Sequence, residues 1–163
     1  MAPAETPLAL LPLAEAARLA RGREVKAREL VEACLERIAA DGAGQDGHGP
    51  SGGSLGGGRH GAWIEVLADR ALARADALDA GPVAGPLHGV PFAVKDFFEL
   101  EGAVCTCGSS RRLAGAARPA ARTAPAVRAL EEAGAVLLGT LNLHEHAFGA
   151  TSTNPHHGAV RNP

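Results

Sequence analysis

Gly-Pro-Val-Ala-Gly-Pro-Leu-His-Gly-Val-Pro-Phe-Ala-Val-Lys-Asp, residues 81–96, is the stretch from which the fold is read. Its two Gly-Pro pairs end a preceding helical pattern, and the apolar run Val90 to Val94 leads straight into Lys95. An apolar run bounded by turn residues is the pattern of a strand covered on both faces, although periodicity alone also admits a buried helical turn. Pro91 suits an early strand position because it has no ladder donor to give. A lysine held at the end of such a strand loses hydration, which disfavours its ammonium form, and a neutral lysine can act as a base. The alternative is that Lys95 ends the strand and reaches water, as most lysines do. The local pattern leaves both open.

The pattern Gly-Pro-Leu-x-Gly-Val-Pro-x-x-Val-Lys-Asp, from Gly85 to Asp96, resembles the lysine motif of the amidase signature family of serine amide hydrolases. The likeness continues in order through Thr106-x-Gly108-Ser109, then Ala124-Pro125-x-Val127-x-x-Leu130-x-x-Ala133-Gly134-Ala135. It resumes at Gly139-x-x-Asn142-x-x-Glu145 and ends at Gly158-x-x-x-Asn162-Pro163. Thr123 and Thr140-Leu141 depart from it, standing where relatives usually carry Asp and Lys-Thr. The resemblance implies an α/β fold: N-terminal helices, then the first strands and helices of a larger mixed sheet, here incomplete. It also implies a catalytic triad of a lysine, a serine held by a cis peptide bond and a nucleophilic serine. Lys95 matches the lysine position. Both serines belong to a Gly/Ser-rich signature that follows the Asn-Pro element, so the resemblance covers an N-terminal portion only. It implies no cofactor and no metal.

Composition agrees with a soluble globular class and says little about partners. The 163 residues are 46% hydrophobic and 21% charged, and the formal net charge of -2 leaves no basic footprint for nucleic acid. Aromatic residues make up 3%, with no tyrosine, which argues against base stacking. No run approaches the roughly 18 apolar residues of a membrane span. Three cysteines, Cys34, Cys105 and Cys107, cannot all pair, and no leader-like N-terminus accompanies them, so the expectation is a reducing, cytoplasmic setting.

Three regions are expected. Residues 1–40 form a helical arm, with helix from Leu13 to Ala40 in two pieces interrupted near Gly22. In the second piece Leu30, Val31, Cys34, Leu35 and Ile38 share a face at helical spacing. Lys26 stands where an N-cap Ser or Thr is expected, so the start of that helix is poorly defined. Residues 41–61 are glycine-rich and aperiodic, a flexible loop. Residues 62–163 form a partial α/β core. It holds a short strand from Trp63, a helix from about Asp69 to Asp79 with Ala71, Leu72, Ala75 and Leu78 inward, and the lysine strand. A helix from Thr123 to Ala133 follows, with Thr123 as cap and Val127 and Leu130 inward, and then a buried strand over Ala135–Leu138. Strand, helix and strand make one parallel crossover.

Other residue groups are weighed against chemistry and set aside. Cys34 lies on the apolar stripe and is read as a small hydrophobe. Cys105-Thr106-Cys107, if extended, points its two thiols to opposite faces, which suits neither a disulfide nor a shared zinc. Ser51-Gly52-Gly53-Ser54 precedes the lysine strand and lacks flanking apolar elements to hold a nucleophile. Ser109 and Ser110 have no histidine adjacent in sequence to act as base. His144 and His146 are two apart, which on a helix diverges, and His156 and His157 sit between loop signals.

The functional expectation is the N-terminal piece of an amidase that hydrolyses carboxamide C–N bonds through Lys95, inactive by itself for want of both serines. Its substrate in the whole enzyme is a small-molecule amide, with neither nucleic acid nor membrane indicated and self-association through an exposed apolar sheet face. The alternatives are part of an amidotransferase A subunit, which amidates glutamyl- or aspartyl-tRNA, and a non-catalytic domain docking on another chain.

Overall fold

A computed structural model describes residues 6–42, 59–110 and 118–162. Most of the glycine-rich run, including Ser51-Gly52-Gly53-Ser54, lies outside them. The chain forms two compact units: Met1–Arg37 with Leu67–Phe92 and Leu130–Leu138, and Ile38–Val66 with Ala93–Ala129 and Gly139–Pro163.

In the first unit, α1 (Leu13–Arg21) begins directly after Pro12, and α2 (Ala27–Gly42) starts here and continues beyond it. The predicted interruption falls between them, where Gly22 closes α1 and Arg23 turns with φ 56°. Ala16, Ala20 and Leu30 form a core against which Leu8, Leu11 and Val25 pack. The start of α2 is well defined, against expectation, because its cap comes from another helix. Asp79 at the end of α3 (Ala68–Ala80) accepts from the Ala27 N–H at 2.8 Å and the Arg28 N–H at 3.1 Å. Two otherwise unsatisfied helix donors are thereby paired with a negative charge at the positive helix end. Glu29 reaches back to the Lys26 N–H at 2.7 Å, the acidic half of a capping box without its hydroxyl half.

Helix α3 buries Ala71, Ala75 and Leu78, as its spacing predicts, but leaves Leu72, expected on the same face, half-buried. Cys34 is half-buried, and burial pushes its thiol upward from the usual range. Gly89 explains why the lysine motif needs a residue without a side chain. At φ +75° its missing Cβ would stand 2.9 Å from the Ala27 Cβ and 3.2 Å from the Ala20 Cβ.

The sheet is mixed, with order β1-β3-β2 for β1 (Trp63–Val66), β2 (Pro91–Lys95) and β3 (Val136–Leu141). β1 and β3 are antiparallel, pairing Trp63 with Leu141 and Val66 with Gly139. β2 and β3 run in the same direction, since the Val136 N–H donates to the Val90 carbonyl and the Asp96 N–H to the Leu141 carbonyl. β3 is buried along nearly its whole length, whereas β2 is half-buried over Pro91–Ala93 and lies at an edge among the described residues. The lysine strand is thus not covered on both faces within this chain.

The crossover helix α4 (Pro125–Glu132) places Pro125 at its first turn, as its lack of an N–H favours. Two details correct the sequence reading. The Thr123 hydroxyl accepts from the Glu101 N–H at 3.1 Å instead of capping the helix, and Leu130 is exposed while Val127 is buried. A small hairpin, β4 (Thr153–Asn154) with β5 (Gly158–Ala159), completes the second unit.

Candidate active site around the lysine strand

Alternation along β2 sends Val94 inward, Lys95 outward and Asp96 inward. Lys95 is therefore exposed, and of the two readings that the local pattern leaves open, the lysine that ends its strand and reaches water is the one seen within this chain. Among the described residues its Nζ meets only the Phe97 ring, 5.8 Å from the centroid. At the strand end the Lys95 carbonyl accepts from the Phe97 N–H at 2.6 Å and the Phe98 N–H at 3.2 Å, so the chain turns immediately after the lysine. Phe97 and Phe98 are left exposed, 52% and 38%, beside the open edge.

The residue that organises this corner is Asp96, to which the sequence reading gave no role. It is 3% exposed. Its carboxylate accepts from the Thr106 hydroxyl and from the Gly108 N–H at 3.2 Å, with a longer approach from the Thr106 N–H at 3.4 Å. A carboxylate is tolerated in the interior when donors reach its oxygens, and those donors are satisfied in return. The signal was present: an acid directly after the last residue of an apolar strand, opposite in face to a lysine.

The Thr106-x-Gly108-Ser109 motif is thus held against the strand end by Asp96. Its serine belongs to a different group. The Ser109 hydroxyl donates to Glu145 Oε1 at 2.8 Å, and His156 Nε2 lies 3.0 Å from the same oxygen. Hydrogen bonding from Ser109, then from His156, holds the Glu145 carboxyl below its ordinary range. The carboxylate lies between hydroxyl and imidazole, the reverse of the serine–histidine–carboxylate order that activates a nucleophile. This group is built to fix a loop.

Two buried amides extend the scaffold. Asn142 donates to the Gly61 carbonyl at 2.9 Å and the Gly158 carbonyl at 3.2 Å, and accepts from the Leu143 N–H at 2.7 Å. Asn154 donates to the Gly108 and Leu143 carbonyls, both at 2.7 Å, and accepts from the His156 and His157 N–H groups. Asn154, which sequence reasoning took only as a loop marker, ties the Gly108 turn to the hairpin.

The remaining candidates separate. His144 approaches the Thr151 hydroxyl at 3.4 Å, and His146 is exposed. Among the described residues no three His, Cys, Asp or Glu side chains are gathered as a metal ion would require. Cys105 and Cys107 do not point apart. Cys107 is left-handed at φ 54°, so the segment is not extended, and the two sulfurs lie 3.9 Å from each other. No described helix is long and apolar enough to cross a membrane.

Comparison with known proteins bears on the family and the fold. The family model described as Amidase matches residues 58–163. An amidase from Pseudomonas putida is 37% identical over 145 residues, covering 87% of this chain and 27% of that protein. The glutamyl-tRNA(Gln) amidotransferase A subunit of Azoarcus sp. (strain BH72) is 46% identical over 105 residues, 63% of this chain and 21% of that protein. Among solved structures, a chain of a vestigial protein complex bearing on the evolutionary origins of an s-triazine catabolic enzyme superposes with a TM-score of 0.79 at 34% identity. It covers 94% of this chain and 31% of that one. The chain therefore spans between a fifth and a third of the length of these relatives. With an incomplete mixed sheet ending in Lys95-Asp96 and a family match over most of its residues, the chain belongs to the amidase signature family.

Proposed function

We propose that this chain supplies the lysine of an amide hydrolase, with Lys95 as the terminal base of a Ser-cisSer-Lys relay whose serines come from residues outside these 163. The observation that carries the reading is the position of Lys95. It sits at the end of an edge strand, its ammonium meeting no carboxylate among the described residues, beside exposed Phe97 and Phe98. A base lysine must be desolvated to be neutral, and a partner segment laid over this edge would remove that water.

In that assembly Lys95 takes a proton, by way of the cis-serine, from the nucleophilic serine. That serine attacks the carboxamide carbon, ammonia or an amine leaves, and water releases the acid. Backbone N–H groups of the Gly/Ser-rich segment would hold the oxyanion. The chain by itself lacks the nucleophile and is inactive. The reading is tested by amide hydrolysis. The isolated chain should show no Lys95-dependent turnover, and in a polypeptide that carries the serine signature Lys95→Ala should lower kcat by about a thousandfold or more. Because Lys95 is exposed here, the same substitution should change the stability of this chain by less than about 0.5 kcal/mol. Turnover that survives Lys95→Ala would overturn the proposal.

The likeness to a tRNA-dependent amidotransferase favours a second reading, in which the same lysine serves glutamine hydrolysis for tRNA amidation together with partner chains. Glutamine-dependent amide formation on a charged tRNA, absent with simple amides, would distinguish it.

A further inference from the structure

The Cys105/Cys107 pair is the group of reactive side chains that the proposed reaction does not use. Their sulfurs are 3.9 Å apart and both residues are half-buried, so a small reagent can reach them. The approach is built by the backbone. Cys107 takes a left-handed conformation, uncommon for a residue with a side chain, and the loop is pinned on either side of it. Thr106 and Gly108 are held by the Asp96 carboxylate, and the Cys107 carbonyl accepts from the His146 N–H at 2.8 Å. Two thiols held side by side meet at an effective concentration far above that of free thiols.

We propose that Cys105 and Cys107 form a reversible redox pair that closes to a disulfide by exchange with a low-molecular-weight disulfide. Closure needs the sulfurs to come about 2 Å nearer than their present separation. A ring spanning three residues is strained, so the bond is readily reduced again. The Cys105 Sγ–H is engaged by the Asp96 carbonyl at 3.8 Å and burial pushes this thiol up to about 11, so Cys105 is the slow sulfur to attack and serves as the resolving one.

In the first step the Cys107 sulfur bonds to one sulfur of the small disulfide. The bond between that disulfide's two sulfurs breaks, and the first small thiol leaves with the Cys107 proton. In the second step the Cys105 sulfur displaces the remaining small thiol, which takes the Cys105 proton. Two electrons pass from the cysteines to the small disulfide, one S–S bond is exchanged for another, and two small thiols are released. Reduction by a dithiol runs the same steps backwards. The Cys105 Sγ–H, which now donates to the Asp96 carbonyl at 3.8 Å, is lost on oxidation, so the change is felt at the end of the lysine strand.

The test treats the whole chain with glutathione disulfide near neutral pH, once in buffer and once in urea. Remaining thiols are then alkylated and the peptides mapped by mass spectrometry. The expected result is loss of two hydrogens confined to Cys105 and Cys107, at least about tenfold faster in buffer than in urea, with Cys34 still alkylated and dithiothreitol restoring both thiols. Cys105→Ser should leave a mixed disulfide on Cys107 that cannot resolve. Equal rates in buffer and urea, or alkylation of Cys105 and Cys107 under conditions that modify Cys34, would overturn the proposal.

Discussion

Replacing Asp96 with alanine removes the carboxylate that holds the Thr106–Gly108 turn to the end of β2. Its carboxylate accepts from the Thr106 hydroxyl and, at 3.2 Å, from the Gly108 N–H, and both of those residues are buried. A hydrogen bond to a charged group contributes about 1.5–3 kcal/mol, and a donor left buried without a partner loses that in full. Two such bonds give an expected cost of about 3–6 kcal/mol, a large part of the roughly 5–15 kcal/mol that keeps a domain folded. Asp96→Asn keeps one acceptor oxygen but aims an amide N–H₂ at a donor, and should cost about half as much. The assay is urea unfolding followed by the fluorescence of Trp63, the single tryptophan, which belongs to the same compact unit. A double-mutant cycle with Thr106→Val should return a coupling of about 1–3 kcal/mol. If Asp96→Ala lowers stability by less than about 1 kcal/mol, or the cycle shows no coupling, Asp96 does not organise this corner.

Gly139 sits where β3 faces β1, and a Cβ there would stand 2.1 Å from the Glu65 carbonyl oxygen and 3.0 Å from the Val66 Cα. Because both are backbone atoms, Gly139→Ala should cost about 1–3 kcal/mol and shift Trp63 emission to longer wavelength, whereas stability within about 0.5 kcal/mol of the parent would contradict this packing. His88 is 1% exposed and accepts from the Ala84 N–H at 3.1 Å; burial, and after it the charge of Arg23, lowers its pKa below the ordinary 6.5, with Arg74 adding to that and Asp79 opposing it. The unfolded chain therefore binds the proton more readily than the native one, so this contribution is fully present above about pH 6.5 and stability declines as pH falls through that value. Thermal unfolding should show that slope between about pH 7.5 and pH 5, and His88→Asn, which keeps an acceptor but cannot titrate, should flatten it.

Much of the architecture could be read before any coordinates. The break near Gly22, the inward face of α3 at Ala71, Ala75 and Leu78, the turn at Gly81-Pro82 and the apolar strand ending in Lys95 all follow from residues adjacent in sequence. The motif spacing also carried the family. What was misread shares one cause. Lys26 looked like a missing cap because its replacement, Asp79, is 52 positions from the Ala27 N–H that it accepts. Thr123 looked like a cap because its true partner, the Glu101 N–H, lies 22 positions back. The thiols of Cys105 and Cys107 were expected to diverge because nothing in their own residue types announces a left-handed turn at Cys107.

The sequence by itself determined the order of α1 to α4 and β1 to β3 and the identity of the lysine strand, because periodicity and turn chemistry act over a few neighbouring residues, and its motifs carried the resemblance to the amidase family. Only the tertiary structure decided that Asp96 faces inward to gather Thr106 and Gly108 while Lys95 faces water, and that two cysteines stand side by side. Burial and hydrogen bonding depend on groups brought together by folding, and a side chain's chemistry is set by which of them it meets.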